Sequence, residues 1–131
     1  MIKFIIEGEP HGKGRPRFGN GRTYTPKKTM EYEKLVAFSA HKASLKKTSS
    51  AISVEIMAIH KRPKRLMRKS DPKGRIIKDT KPDIDNIVKA VLDGLKSFFD
   101  DKQVYYLVAS KYWSAIEEEA KVEVVIKVSQ D

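Results

Sequence analysis

Residues 81–99, KPDIDNIVKAVLDGLKSFF, decide how this chain folds. Ile84, Ile87, Val88, Val91, Leu92, Leu95, Phe98 and Phe99 recur at spacings of three and four, the period of one apolar stripe on an amphipathic helix. Pro82 disfavours helical geometry at the residue before it and lets a helix start cleanly behind it. Asp83 then falls at the N-cap and Asp85 in the first turn, both beside the positive end of the helix dipole. The spacing predicts one helix from Asp83 to Phe99, with Asp85, Asn86, Lys89 and Asp93 on its polar side.

Downstream, Asp100-Asp101-Lys102 makes a polar turn. Val104 to Ala115 and Ala120 to Ser129 alternate or run apolar and read as a closing hairpin through Ile116–Glu119. Upstream, Ala51 to His60 alternates, with Ile52, Val54, Ile56 and Ala58 on one side and Ser53, Glu55 and Met57 on the other, as in a half-buried strand. Pro26 opens a second helix that runs to about Leu45, with Met30, Leu35, Val36 and Phe38 as its apolar face and Glu31, Glu33 and Lys34 as its polar one. Ile2 to Glu7 reads as a first strand rather than a signal peptide, because the apolar run is short and turns acidic. The resulting order is strand, helix, strand, helix, strand, strand. That is an α+β domain with a mixed sheet and two main helices, occupying residues 1–131 as one unit.

Two segments escape this pattern. Pro10 to Pro26 carries four glycines together with Lys13, Arg15, Arg17 and Arg22, and reads as a positively charged loop. Lys61 to Lys81 carries ten Lys or Arg against Asp71 and Asp79, with almost no apolar periodicity. It reads as a long functional or partly disordered loop with one helical turn near Arg65 to Lys69. Over the whole chain 27 Lys and Arg oppose 17 Asp and Glu, a net charge of +10. Such an excess selects a polyanionic partner, nucleic acid first and an anionic membrane surface second.

The absence of cysteine excludes disulfides and thiolate metal sites. His11, His41 and His60 lie too far apart for zinc spacing and read as surface or loop residues. A metal site must therefore be built from carboxylates, which favours Mg²⁺ or Mn²⁺. No apolar run approaches the ~20 residues of a membrane span, so no membrane partner is expected and the expected compartment is the cytoplasm.

Asp83 and Asp85 admit two readings. As helix caps they are ordinary. As metal ligands they gain from the basic loop before them, from Lys89 one turn beyond Asp85, and from the acidic pair Asp100-Asp101 after the helix. Phosphodiester hydrolysis needs a metal to acidify the attacking water and to neutralise the developing charge on phosphorus. Carboxylates with one lysine meet that need without His or Cys.

The run KPDIDNIVKAVLDGL followed by FFDDKQV resembles the signature of the RusA family of Holliday-junction resolvases, as do GRPRF and RTYTPKKTMEYE near the N-terminus. The likeness covers most of the chain and is weakest from about Lys61 to Thr80. It implies that Asp83, Asp85 and Asp101 are the metal-binding carboxylates and Lys89 the catalytic lysine. Asp93 and Asp100 match recurrent acidic positions. The implied activity is Mg²⁺-dependent, symmetric cleavage of four-way DNA junctions by a homodimer, with Mn²⁺ as a substitute, in recombination and repair and often in prophages. The short segment between Asp93 and Asp100 leaves open which of Asp100 and Asp101 faces the metal.

A helix unbroken from Ile84 to Phe99 would be about 24 Å long, too long for Asp101 to join Asp83 and Asp85 of its own chain. Either the helix breaks near Gly94 or Asp101 comes from a second subunit. Antiparallel two-fold packing of this helix favours a metal site shared between subunits. Lys13, Arg15, Arg17 and Arg22 would then grip phosphates on one DNA arm, and Arg62, Lys64, Arg65 and Arg68 on another. Phe18 or Tyr24 would either stack on an unpaired base or anchor a small core. The competing readings are a metal nuclease for flaps, single strands or RNA, a DNA-binding module whose acids are only caps, and a structural protein.

Overall fold

The computed structural model describes residues 1–14 and 17–129, so Arg15 lies outside the described residues, as does the side chain of Arg17. Five strands form one mixed sheet: β1 (Ile2–Glu7), β4 (Ile52–His60), β5 (Ile76–Ile77), β6 (Val104–Trp113) and β7 (Lys121–Val128). Their spatial order is β1-β7-β4-β6-β5, with β4 and β6 parallel and the other pairs antiparallel. Two helices, α1 (Lys27–Lys42) and α2 (Ile84–Gly94), pack on one face. The α+β class, the mixed sheet and the two helices agree with the sequence.

Residues 104–113 and 121–128 do not form a hairpin. β4 lies between β6 and β7, which explains why its own alternation is misleading. Ile52, Val54, Ile56 and Ala58 face the helices, but Ser53 and Ile59 are buried as well, so β4 is a central strand rather than a half-buried one. Apolar core residues from every layer meet there, including Phe4, Ile6, Val36, Ile87, Val91, Val124 and Ile126.

α1 buries a different stripe from the one expected. Thr29, Tyr32, Val36, Ser39 and Ala40 face inward, while Met30, Leu35 and Phe38 are exposed. Close approach of the helices selects this face. A Cβ placed on Gly94 of α2 would stand 2.6 Å from Cβ of Val36, so small residues are needed where the helices cross. α2 also ends earlier than expected. The helix stops at Gly94 after 11 residues, about 16 Å, instead of running to Phe99. Leu95 and Phe99 remain in the core by way of turns, with Phe98 N–H donating to Leu95 O at 2.9 Å.

The glycine-rich segment holds regular structure after all: β2 (Arg17–Gly19) and β3 (Arg22–Tyr24) form a hairpin. Asn20 (φ 52°) and Gly21 (φ 78°) are both left-handed, as a type I′ turn demands. The basic segment is ordered too, with a short 3₁₀ turn at Lys64–Leu66 and the strand β5. Its organiser is Arg62, which is 2% exposed. The guanidinium donates to carbonyls of Ser114 (2.9 Å), Leu66 (3.2 Å), Pro72 (2.5 Å) and Gly74, so the loop wraps around one buried cation. His60, expected at the surface, is buried at the end of β4 with Nδ1 3.3 Å from Glu9. Burial outweighs the neighbouring carboxylate and pushes its pKa down.

Candidate active site

α2 begins at the Lys111 end of β6 and runs away from it. Asp83 is the N-cap residue and Asp85 lies in the first turn. Asp83 makes no side-chain capping bond. Its main-chain carbonyl accepts from Asn86 N–H (3.1 Å) and Ile87 N–H (3.2 Å), which leaves the carboxylate free. Both acids are exposed, and among the described residues neither forms an ion pair, in a chain with a net charge of +10. Both lie at the positive end of the helix dipole. Lys89 is exposed one turn further on and makes no ion pair with Asp85.

Two lysines fix the turn that presents this pair. Lys111 Nζ on β6 donates to Thr80 O (2.6 Å) and Pro82 O (2.8 Å). Lys78 Nζ donates to Lys81 O and to Thr80 Oγ1, each at 2.6 Å, and sits 4.0 Å from the Trp113 ring centroid. Three consecutive carbonyls before Asp83 are therefore held from below. Burial, followed by the like charge of Lys111, pushes the Lys78 pKa down. Asp83, Asp85, Lys78, Ser110, Lys111 and Tyr112 are among the walls of an open cleft of about 490 Å³.

The glycine-rich segment is docked against the same turn. Lys13 N–H donates to Asn86 O at 3.0 Å, and a Cβ on Gly12 would lie 2.7 Å from Cβ of Pro82. Lys13 Nζ is bound by Asp93 and lies 3.5 Å from Glu33. Lys96 approaches Asp93 at 3.5 Å from the other side. Burial opposes ionisation of Asp93, but the hydrogen bond and charge of Lys13, helped by Lys89 and Lys96, hold its pKa below the usual range. Asp93 is thus an anchor for the glycine-rich segment. Lys13, expected on phosphate, is taken up by that anchor.

Asp101 is elsewhere. It opens the turn before β6, and Val104 to Lys111 alone spans roughly 23 Å of strand. The helix does break at Gly94, yet the break carries the chain to the far end of β6. Asp100 and Gln103 close that turn, with Asp100 N–H donating to Gln103 Oε1 at 2.7 Å. Among the described residues no three His, Cys, Asp or Glu side chains gather as a metal site. Asp83 and Asp85 suit Mg²⁺, which keeps most of its waters and takes one or two carboxylates beside substrate phosphates. The set of Asp83, Asp85 and Asp101 does not assemble within one chain.

The basic candidates divide. Arg62 is buried, with its guanidinium donating to four backbone carbonyls, and is out of reach of phosphate, which corrects its expected role. Arg22, Lys64, Arg65 and Arg68 are exposed, although Arg68 pairs with Asp71 at 3.3 Å and Arg65 lies 5.9 Å from the Trp113 ring centroid. Phe18 is 76% and Tyr24 51% exposed on the β2–β3 hairpin, so neither anchors a core. The Lys78–Lys111 clamp was not anticipated. No local pattern announces it, because its carbonyl partners are set by where β6 passes the turn.

The family model for endodeoxyribonuclease RusA matches residues 7–127. An uncharacterised protein of Bacillus subtilis (strain 168), YqaN, is 35% identical over 139 residues, covering 96% of this chain and 95% of that protein. RusA nucleases act on branched DNA junctions and are generally dependent on a divalent metal. The match spans both acidic segments and all of the five-stranded sheet except most of β1 and the last residue of β7, and the chain belongs to the RusA endodeoxyribonuclease family.

Proposed function

We propose that this chain is an Mg²⁺-dependent endonuclease that resolves four-way DNA junctions by paired, symmetric cleavage, working in recombination and repair as a homodimer, with Mn²⁺ able to replace Mg²⁺. The observation that carries the reading is the state of Asp83 and Asp85. Among the described residues these two carboxylates at the N-terminus of α2 make no cap and no ion pair, in a strongly basic chain, which supports a site for a hard cation over a helix cap.

The third carboxylate in this reading is Asp101 of a second copy, since the strand separates it from the pair within one chain. A cation held there would polarise phosphate and acidify water. The chain's own part is positional. Lys78 and Lys111 keep the turn in place, Lys89 stands on the exposed flank to meet the phosphate, and the docked Gly12–Lys13 backbone fixes the root of the β2–β3 hairpin. Arg22, with Arg15 and Arg17, would contact phosphates along one DNA arm, and Lys64, Arg65 and Arg68 along another. Phe18 and Tyr24 offer exposed rings for a base at the branch point.

The test is cleavage of a synthetic four-way junction with Mg²⁺, beside linear duplex and flap controls. Paired nicks on the junction alone are expected. Binding without any cleavage would return Asp83 and Asp85 to helix caps on a DNA-binding module.

A further inference from the structure

Lys78 is a buried cation that no anion claims. It is 5% exposed, and among the described residues no carboxylate forms an ion pair with it. Two of its three N–H donors go to Thr80 Oγ1 and Lys81 O, each at 2.6 Å. Neither acceptor carries a charge, and Lys111 adds a like charge nearby. A charge taken out of water at this depth needs further compensation. The ring face of Trp113 supplies it, with its centroid 4.0 Å from Lys78 Nζ. Trp113 is the single tryptophan of the chain and the last residue of β6. Its place is fixed by pairing with His60 of β4 and Ile76 of β5, and the buried His60 ring meets it edge-on at 6.2 Å. Arg65, an exposed residue of the basic segment, approaches the same ring at 5.9 Å.

We infer that Trp113 is a positioning residue for phosphodiester cleavage: its ring seats the Lys78 ammonium against the turn that presents Asp83 and Asp85, and ties Arg65 of the basic segment to the same spot. The chain of contacts is short. The ring holds the ammonium, the ammonium holds Thr80 Oγ1 and Lys81 O, and Asp83 follows two residues later. Trp113 touches neither metal nor phosphate, so its effect on cleavage passes through Lys78. Without the ring, Lys78 gains by moving toward water, and the turn keeps only the support of Lys111 on Thr80 O and Pro82 O. The contact also joins the basic segment, where the family likeness is weakest, to the carboxylates. The consequence for cleavage rests on the proposed function; the seating of Lys78 does not.

Amide hydrogen exchange of the full chain without DNA tests the seating. In Trp113→Leu the N–H groups of Asn86 and Ile87, which donate to Asp83 O, are expected to exchange about 10-fold faster, while the β1–β7 ladder stays as slow as in the wild type. Trp113→Phe keeps a ring face and is expected to stay close to the wild type. Lys78→Met leaves the single tryptophan in place and is expected to shift its fluorescence maximum, a readout that does not depend on how well Trp113→Leu folds. Junction cleavage tests the consequence. Trp113→Leu is expected to lower kcat about 10-fold with KM little changed, and Trp113→Phe to recover most of it. Adding Trp113→Leu to Lys78→Met is expected to slow cleavage no further, because the two act in series. Unchanged exchange at the head of α2, exchange accelerated equally across the sheet, an unshifted Lys78→Met spectrum or additive losses in the double variant would each overturn the inference. A wild type that cleaves no junction would overturn the proposed function, and exchange and fluorescence would still decide the seating of Lys78.

Discussion

The two ends of α2 carry the same chemical group and use it differently. At the N-terminal end, Asp83 and Asp85 are exposed and, among the described residues, make no side-chain cap and no ion pair. Ten residues beyond Asp83, Asp93 is only 6% exposed in its side chain and is held between Lys13 and Lys96. Position along the helix does not decide which acid is available for chemistry. What decides is whether a cation of the same chain has already claimed it. A basic protein with free carboxylates has left them unclaimed against its own electrostatics, and a cation from solution is the natural counter-charge.

The contrast breaks most sharply by substitution. Asp85→Asn should lower junction cleavage by about 10³-fold or more, because it removes several kcal/mol of metal-borne stabilisation from the transition state. Its stability should change by less than about 1 kcal/mol, since only a dipole interaction is lost. Junction binding measured in Ca²⁺, beside a melting curve, would separate these effects. Lys111→Met should come next. Loosening the turn by about an ångström should cost about 10²-fold in kcat with little change in KM, and Lys111→Arg should restore part of it.

Asp93→Asn should show the reverse profile to Asp85→Asn: a loss of about 2 kcal/mol in stability, with cleavage by the folded protein largely kept. The sign follows from the lowered pKa. The contribution of Asp93 is fully present above the unfolded carboxylate value of about 3.9 and fades as pH falls through its lower folded value. Denaturant titrations of both proteins should therefore differ most at pH 7 and by progressively less as the pH is lowered through the folded value. Glu118→Gln should give the smallest effect, on the order of 1 kcal/mol at pH 7 after solvent screening. Arg75 beside Glu118 holds its pKa at about 2, so the stabilisation is complete above the ordinary glutamate value and disappears near pH 2.

The start of the helix at Ile84, the existence of the strand at Ile52–His60 and the place of Asp83 and Asp85 at the head of α2 were legible because each rests on a local pattern. The order of strands was not, since β4 enters between β6 and β7 through pairing that no local pattern carries. Asn20-Gly21 did announce its hairpin, but the three other glycines of the segment obscured it. Arg62 reads as one more cation in a basic run, and only the carbonyls that close around it reveal a buried support. Met30 and Phe38 look like core residues by hydropathy, yet both are exposed, and the α1 side chain that meets Gly94 at the helix crossing is Val36.

The most direct test of the central claim is subunit complementation. Asp83→Asn and Asp101→Asn proteins are each expected to be inactive. After subunit exchange, half of the dimers should be mixed, and each mixed dimer should own one intact site. Single nicks in the four-way junction should then appear, without the paired nicks of the wild type. Absence of any cleavage in the exchanged mixture, with mixed dimers confirmed by mass, would contradict a carboxylate site shared between subunits.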